Sequence, residues 1–269
     1  MAVLCKGYHT VTHVSKPWHW GQPLANQHLQ WLPTDSQESF DRMMQDPTHR
    51  EYFQSLGWDQ PHTISYKINS DGFRSDEFDS SPCIMALGCS YTVGIGLPVE
   101  CTWPALLGQK LGLKVCNLAW GGYALDSCFR LAQYWISHLN TQLVCILLPP
   151  VDRVELMLDK VDQQTNQVLN QVFMPHDLSN AYDSANAYLT NWFMQPQNGQ
   201  INKAKNVLAL RQLCADHAVP FCIVDSQTTM TRSREDIGYA RDHLHGGPKI
   251  HREIADEMYR QYEKNKVIV

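Results

Sequence analysis

Apolar positions along this chain fall into two alternating rhythms. Apolar-rich runs at 83–88, 114–119, 142–148 and 220–225 end in glycine, proline or polar residues, as buried strands of a parallel sheet do. Between and after them, residues 102–111, 126–139, 202–217 and 248–264 read as helices; Trp103, Leu106, Leu107 and Leu111 share one face of the first. Asp126 or Ser127 caps the second, Pro149-Pro150 stops the third strand, and Pro248 suits the first turn of the last helix. Strand, helix, strand, helix, strand in this order predicts right-handed crossovers and a parallel α/β sheet. In such sheets ligands sit beyond the carboxyl ends of the strands.

Two regions lack this rhythm. Residues 1–80 show no strong period: a short helix is predicted over 35–56 with Thr34-Asp35-Ser36 at its start, then an exposed strand alternating over 64–69, then a turn at Ser70-Asp71-Gly72. Residues 154–200 are rich in Gln and Asn yet carry Phe173, Tyr182, Tyr188, Trp192, Phe193 and Met194. Tyr182, Tyr188-Leu189 and Trp192-Phe193 predict an amphipathic helix, in an insertion that packs on the domain rather than forming a lid.

Composition narrows the class. With 269 residues, 43% of them hydrophobic, the chain fills one large core. A formal charge of -5 with mixed signs supplies no basic field for nucleic acid and no polybasic run for a membrane surface, which points to a small or uncharged substrate. Met1 to Gly7 has no basic leader followed by an apolar region, so neither a secretory signal nor a membrane span is expected. The nine cysteines have no Cys-x-x-Cys spacing and several sit inside apolar runs, the usage of buried thiols in a reducing, cytoplasmic setting. Histidines 9, 13, 19, 28, 49 and 62 show no metal spacing and are expected as polar surface residues, with no cofactor.

Candidate chemistry begins where the first buried run breaks. Cys83-Ile84-Met85-Ala86-Leu87 leads into Gly88-Cys89-Ser90-Tyr91, followed by Gly94 and Gly96, and so delivers Ser90 to a loop as a candidate nucleophile. Cys89, next to it, is expected to point inward. A serine hydroxyl needs a base, and that base needs a carboxylate to hold its tautomer; Asp242-His243-Leu244-His245 supplies both in one loop. Asp242 with His243 and His245 also makes a conceivable metal site. After the second strand, Trp120-Gly121-Gly122 offers amides that approach a ligand without a side chain in between. Tyr91, Gly121 and Arg153 are expected to contact substrate.

Gly-x-Ser-x-x-x-Gly after a first strand, together with Asp-x-x-His before a last helix, resembles the SGNH or GDSL-type hydrolases. The segment Asn69-Ser70-Asp71-Gly72-Phe73-Arg74 is similar to one often found ahead of their catalytic domain. The resemblance implies a flavodoxin-like three-layer α/β/α domain over 81–269 with an insertion at about 154–200, and an N-terminal extension, 1–80, folded onto it. It implies that Ser90 is the nucleophile of a Ser90, His245, Asp242 triad, with the Ser90 and Gly122 amides as the oxyanion hole and Gly121 the second choice. The expected activity is hydrolysis of a small-molecule or carbohydrate ester through an acyl-enzyme. The chain departs from the family's Gly-x-Asn-Asp block, reading Pro149-Pro150-Val151-Asp152-Arg153 after the third strand, so the usual asparagine donor is absent there. A third donor is then missing, or comes from Val151, Arg153 or water. The alternative is a binding module that keeps the fold without efficient turnover.

Overall fold

The computed structural model describes residues 16–161, 168–173, 189–190, 192, 195–226 and 238–266. Four parallel strands make the central sheet: β3 (Cys83–Leu87), β4 (Lys114–Asn117), β5 (Thr141–Leu148) and β8 (Phe221–Asp225), in the order β4-β3-β5-β8. Two short strands, β1 (His28–Leu29) and β2 (Tyr66–Lys67), pair antiparallel ahead of it. The sheet is buried on both faces, which is why its strands are nearly all apolar. Ile84, Ala86, Leu143, Cys145 and Leu147 face helices α4 (Trp103–Leu111) and α7 (Pro248–Lys266). The alternate residues Met85, Leu87, Val144, Ile146 and Leu148 face α5 (Leu125–Trp135) and α6 (Pro196–Asp216). The result is the expected three-layer α/β/α arrangement. Each fully buried Leu or Ile in these layers contributes about 1.5–3 kcal/mol of burial free energy.

The chain steps from β3 outward to β4, then returns across β3 to β5 on the other side. The carboxyl ends around that reversal are where such sheets bind ligands. Ser90 follows β3, Gly121 and Gly122 follow β4, and Arg153 follows β5.

Residues 16–80 share the core on the α5 side. Phe53, Trp58, Ile64, Tyr66 and Phe73 lie in one apolar cluster with Met85 and Leu87. Ile64, Tyr66 and Ile68 are buried while Lys67 is exposed, the alternation read from the sequence, although only Tyr66–Lys67 forms a strand. Asn69 closes the following turn, its Oδ1 accepting from the amides of Asp71 and Phe73. Arg74 then fills four carbonyls, those of Val93, Gly94, Ser65 and Leu97, and so holds the end of the short helix α3 (Ser90–Val93) that carries the candidate serine. Burial lowers its guanidinium to about 10, which leaves it charged at neutral pH.

Several expectations are corrected. The helix over 35–56 is two helices, α1 (Gln37–Gln45) capped by Ser36 and α2 (Pro47–Leu56) capped by Asp46. Pro47 cannot continue α1 but opens α2, with Asp46 accepting from the amides of Thr48 and His49. Neither Asp126 nor Ser127 is the cap residue of α5; that position is Ala124, whose amide donates to Ser127 Oγ from within the first turn. The insertion contains an antiparallel hairpin, β6 (Val154–Val161) with β7 (Val168–Phe173). Glu155 ties it to α5, accepting from Ser127, Arg130 and Asn170. Of the helix predicted there, Leu189 and Trp192 are helical and pack with Val154 and Phe173; Tyr182, Tyr188, Phe193 and Met194 lie outside the described residues. No described helix is long and apolar enough to cross a membrane. The described cysteines are free, and all but Cys101 are buried.

His19 is buried rather than on the surface. It stacks on Phe73 at 4.0 Å, donates Nε2–H to the Asp71 carbonyl and accepts the Gly21 amide on Nδ1. His251 is equally buried, accepting the Trp103 amide on Nδ1. Burial lowers each from the ordinary 6.5 to about 3, with His245 and Arg74 adding to the shift at His251. The folded state therefore binds fewer protons than the unfolded chain between those two values. Stability contributed by the neutral rings is full above about 6.5 and falls as pH drops toward 3, by up to ~1.4 kcal/mol per pH unit for each histidine. Urea midpoints are expected to fall from pH 7 to pH 5, and His19→Gln should flatten that slope by about one proton. A profile as steep in the variant as in the wild type would refute the assignment.

Candidate active site

Asp242-x-x-His245 is folded by its own carboxylate. Asp242 Oδ1 accepts the amides of Leu244 and His245, each at 3.1 Å, curling the loop so that His245 Nδ1 meets Asp242 Oδ2 at 2.5 Å. Donation from Nδ1 fixes the tautomer and leaves the Nε2 lone pair free; among the described residues Nε2 has no partner. Thr34 Oγ1 donates to the same Asp242 Oδ2 at 2.8 Å. Burial pushes the Asp242 carboxyl up, but the hydrogen bonds and charge of His245, its amide and Thr34 outweigh that, and the net shift is downward. Asp242 is therefore a carboxylate at neutral pH.

Segment 16–80 anchors the loop from behind. Asp35 and Arg241 form a bidentate ion pair, Nε to Oδ1 at 2.9 Å and Nη2 to Oδ2 at 2.6 Å, with both side chains almost wholly out of solvent. Tyr66 donates to Asp35 and accepts the Gly96 amide at 2.8 Å, while the Arg241 amide donates to the Gly96 carbonyl at 2.8 Å. Gly96 has φ +75°, and a Cβ there would meet the amides of Arg241 and Asp242 at 2.9 Å. The serine loop and the Asp242 loop touch backbone to backbone at this glycine.

His243 turns the other way. At φ +59° its backbone is left-handed, and its ring stacks on Tyr239 at 4.2 Å and meets His49 at 3.9 Å. It does not join Asp242 and His245, and among the described residues no group of three side chains is placed to hold a metal.

Ser90 opens α3 directly after β3 and Gly88-Cys89. At the first helical position its amide has no intrahelical acceptor. Cys89 is buried, as expected. Ser90, Gly121, Gly122, Arg153 and His245 all line one cavity of about 460 Å³, walled by Trp20, Trp120, Ile95 and Leu244. Gly122 has φ +83°, and a Cβ there would approach the Trp20 ring to 3.0 Å. Among the described residues neither the Gly121 nor the Gly122 amide has an acceptor. Arg153 donates Nη1 to the Tyr123 carbonyl at 3.0 Å. No hydrogen bond joins Ser90 Oγ to His245; the hydroxyl faces the Cys89 sulfur at 4.0 Å. Such contacts are often long in unliganded enzymes and tighten when substrate binds.

Tyr91 is not brought to the cavity. One residue further round the turn than Ser90, its ring is buried, edge-on to His245 at 5.1 Å and parallel to His251. Thr34, Trp20 and Trp120 are cavity residues that sequence reasoning left out. A larger cavity of about 670 Å³ runs along α4 and β4, lined by Lys67, Arg74 and Glu100 among others. Among its described lining residues there is no histidine and none of Ser90, Asp242 and His245, and the Nη1 and Nη2 groups of Arg74 are taken by carbonyls.

No family model and no curated protein matches this chain. Solved structures do. The psychrotrophic esterase EstA from a Pseudoalteromonas species, inhibited by monoethylphosphonate, is 15% identical over 68% of this chain and 97% of its own, at TM-score 0.38. A lipolytic-type protein of the G-D-S-L family from Desulfitobacterium hafniense is 12% identical over 66% and 98%, at TM-score 0.34. An active-site mutant of a family two carbohydrate esterase from Clostridium thermocellum is 14% identical over 70% and 65%, at TM-score 0.37. With TM-scores this low, the function rests on the side chains themselves.

Proposed function

We propose that this protein is a serine esterase acting on small acyl esters by two-step acyl transfer. Ser90 Oγ attacks the ester carbonyl while His245 Nε2 takes its proton, and Asp242 holds the ring and offsets the imidazolium charge. The amides of Ser90 and Gly122 receive the oxyanion. The imidazolium gives its proton to the departing alkoxide; water then attacks the acyl-enzyme with His245 again as base, the Ser90 Oγ–acyl bond breaks, and the imidazolium returns the proton to Ser90 Oγ as the acid leaves. The observation that carries this reading is the conjunction in one cavity of about 460 Å³ of an Asp-oriented imidazole, a serine at a helix start and two glycine amides, with neither Nε2 nor those amides partnered among the described residues. A cavity of this size suits a small organic ligand. The segment before β3 is, in this proposal, part of the working unit rather than an appended domain, since Thr34 bonds the triad carboxylate directly.

The second reading, a binding module without efficient turnover, draws on the unmade Ser90 to His245 hydrogen bond and on the prolines that replace the family's asparagine. Hydrolysis of p-nitrophenyl acetate decides between them, because a good leaving group depends less on complete oxyanion stabilisation. Turnover unaffected by a chelator is expected; none by the folded protein would leave the binding module. Gly122→Pro deletes the proposed donor and should lower kcat roughly a hundredfold to a thousandfold if circular dichroism shows the fold retained. A folded variant at the wild-type rate would move the role to Gly121.

Thr34 acts here as a positioning residue. Thr34→Val removes one hydrogen bond to the carboxylate at constant shape and is expected to lower kcat on the order of tenfold, the lower end of what a hydrogen bond to a charged group contributes. Thr34→Ser keeps the donor and should restore most of the rate with KM unchanged. Equal rates in the valine and serine variants would show that Thr34 only packs.

A further inference from the structure

Among the described residues, Arg153 is the one permanently charged residue lining the candidate cavity. The arginines that structure the molecule are consumed by it: Arg74 by four carbonyls, Arg130 by Glu155 and the Trp18 carbonyl, Arg241 by Asp35 and two carbonyls. Arg153 uses Nη1 on the Tyr123 carbonyl and, among the described residues, pairs with no carboxylate. A guanidinium carries five N–H groups in a fixed fork, so most of its donors remain for something else. The carbonyl that holds it belongs to Tyr123, one residue beyond Gly122 on the connection between β4 and α5.

The walls around it are Trp20, Trp120, Leu32, Pro33, Val93, Ile95 and Leu244, and among the described residues no carboxylate lines the cavity. Asp242 is buried behind His245 and occupied by it and Thr34, Glu155 is taken by Arg130, and Asp152, next to Arg153 in the chain, is exposed and outside the cavity lining. When a substrate displaces water from this cavity, an unpaired guanidinium loses hydration with nothing to replace it, which costs binding energy. A carboxylate or phosphate on the substrate removes that cost through charge-assisted, bidentate hydrogen bonds. We infer that the substrate is an ester bearing an anionic group, carboxylate or phosphate, that Arg153 binds while the ester carbonyl lies at Ser90. This inference rests on the esterase reading and narrows its substrate class, replacing the uncharged substrate that the overall charge suggests.

The test compares three esters on wild type, Arg153→Gln and Arg153→Lys: p-nitrophenyl acetate, which is neutral; mono-p-nitrophenyl succinate, with the charge on the acyl side; and 4-acetoxybenzoate, with the charge on the leaving group. The ratio of kcat/KM for one charged ester over that for the neutral one is expected to fall tenfold or more in Arg153→Gln. It should recover in part in Arg153→Lys and weaken in the wild type with added salt. Which charged ester responds says whether the anion sits on the acyl or the alcohol side. An unmoved ratio overturns the inference, whether all rates fall together, as they would if Arg153 served the oxyanion, or none falls. Turnover of the neutral ester with a flat ratio sinks this inference alone; no turnover of any ester sinks the esterase reading. In that case calorimetric titration with benzoate and with inorganic phosphate reads the anion site without chemistry. Binding at least tenfold weaker in Arg153→Gln supports the site, and equal or absent binding in wild type and variant overturns it.

Discussion

Ser90→Ala is expected to lower kcat/KM for p-nitrophenyl esters by roughly 10⁴-fold or more, the scale on which losing the nucleophile of a serine hydrolase acts. Stability should hardly move. Among the described residues the hydroxyl has only the distant Cys89 sulfur as partner, and the residue is partly exposed, so a change within about 0.5 kcal/mol is expected. Comparing turnover with melting temperature separates the two effects. An inactive variant that also melts far below the wild type would show a structural serine instead.

The second large effect is on stability. Among the described residues, Asp35→Leu leaves the Arg241 guanidinium with carbonyl contacts to Pro61 and Gln30 and the faces of Trp31 and Phe40, and no carboxylate, in a site that is 0% exposed. Breaking a buried ion pair by removing one partner costs about 3–5 kcal/mol, a fall in Tm of roughly 10 °C for a chain of this size. Replacing both partners, Asp35→Leu with Arg241→Met, should recover much of that stability, since apolar residues no longer strand a charge. Activity should recover less than stability, because Arg241 precedes Asp242 and its backbone is held at Gly96. Additive single and double variants in urea denaturation would show that the pair is not coupled.

The sheet was the most legible part of the chain. Strands buried on both faces need continuous apolar runs, and Cys83–Leu87 and Thr141–Leu148 carry them with their bounding glycines and prolines in view. The hairpin Val154–Val161 with Val168–Phe173 was not read, because it carries Glu155, Asp159, Lys160 and Asn170 and sits in a Gln- and Asn-rich stretch. Its polarity has a cause: Glu155 and Asn170 bond each other while Glu155 binds Arg130 on α5. The break at Asp46-Pro47 was signalled by a cap residue before a proline, but the helical pattern on either side ran through it.

At the site, motif spacing brought Ser90, Gly122, Asp242 and His245 into view, because an Asx turn sets the Asp-x-x-His interval locally. Thr34 and Asp35 lie more than 200 residues from the loop they hold. No local period records such a contact, and both looked like helix-cap residues. Tyr91 differs for the opposite reason: adjacency to Ser90 suggests a shared surface, whereas one step along a helical turn rotates its ring into the core against His245.

Covalent labelling by a fluorophosphonate tests the central claim most directly, since it requires a serine activated by its own base but no knowledge of the natural substrate. The geometry predicts a single adduct on Ser90 by peptide mass mapping, lost in Ser90→Ala and strongly slowed in His245→Ala. Folded protein that stays unlabelled, or that is labelled equally fast without His245, would contradict it.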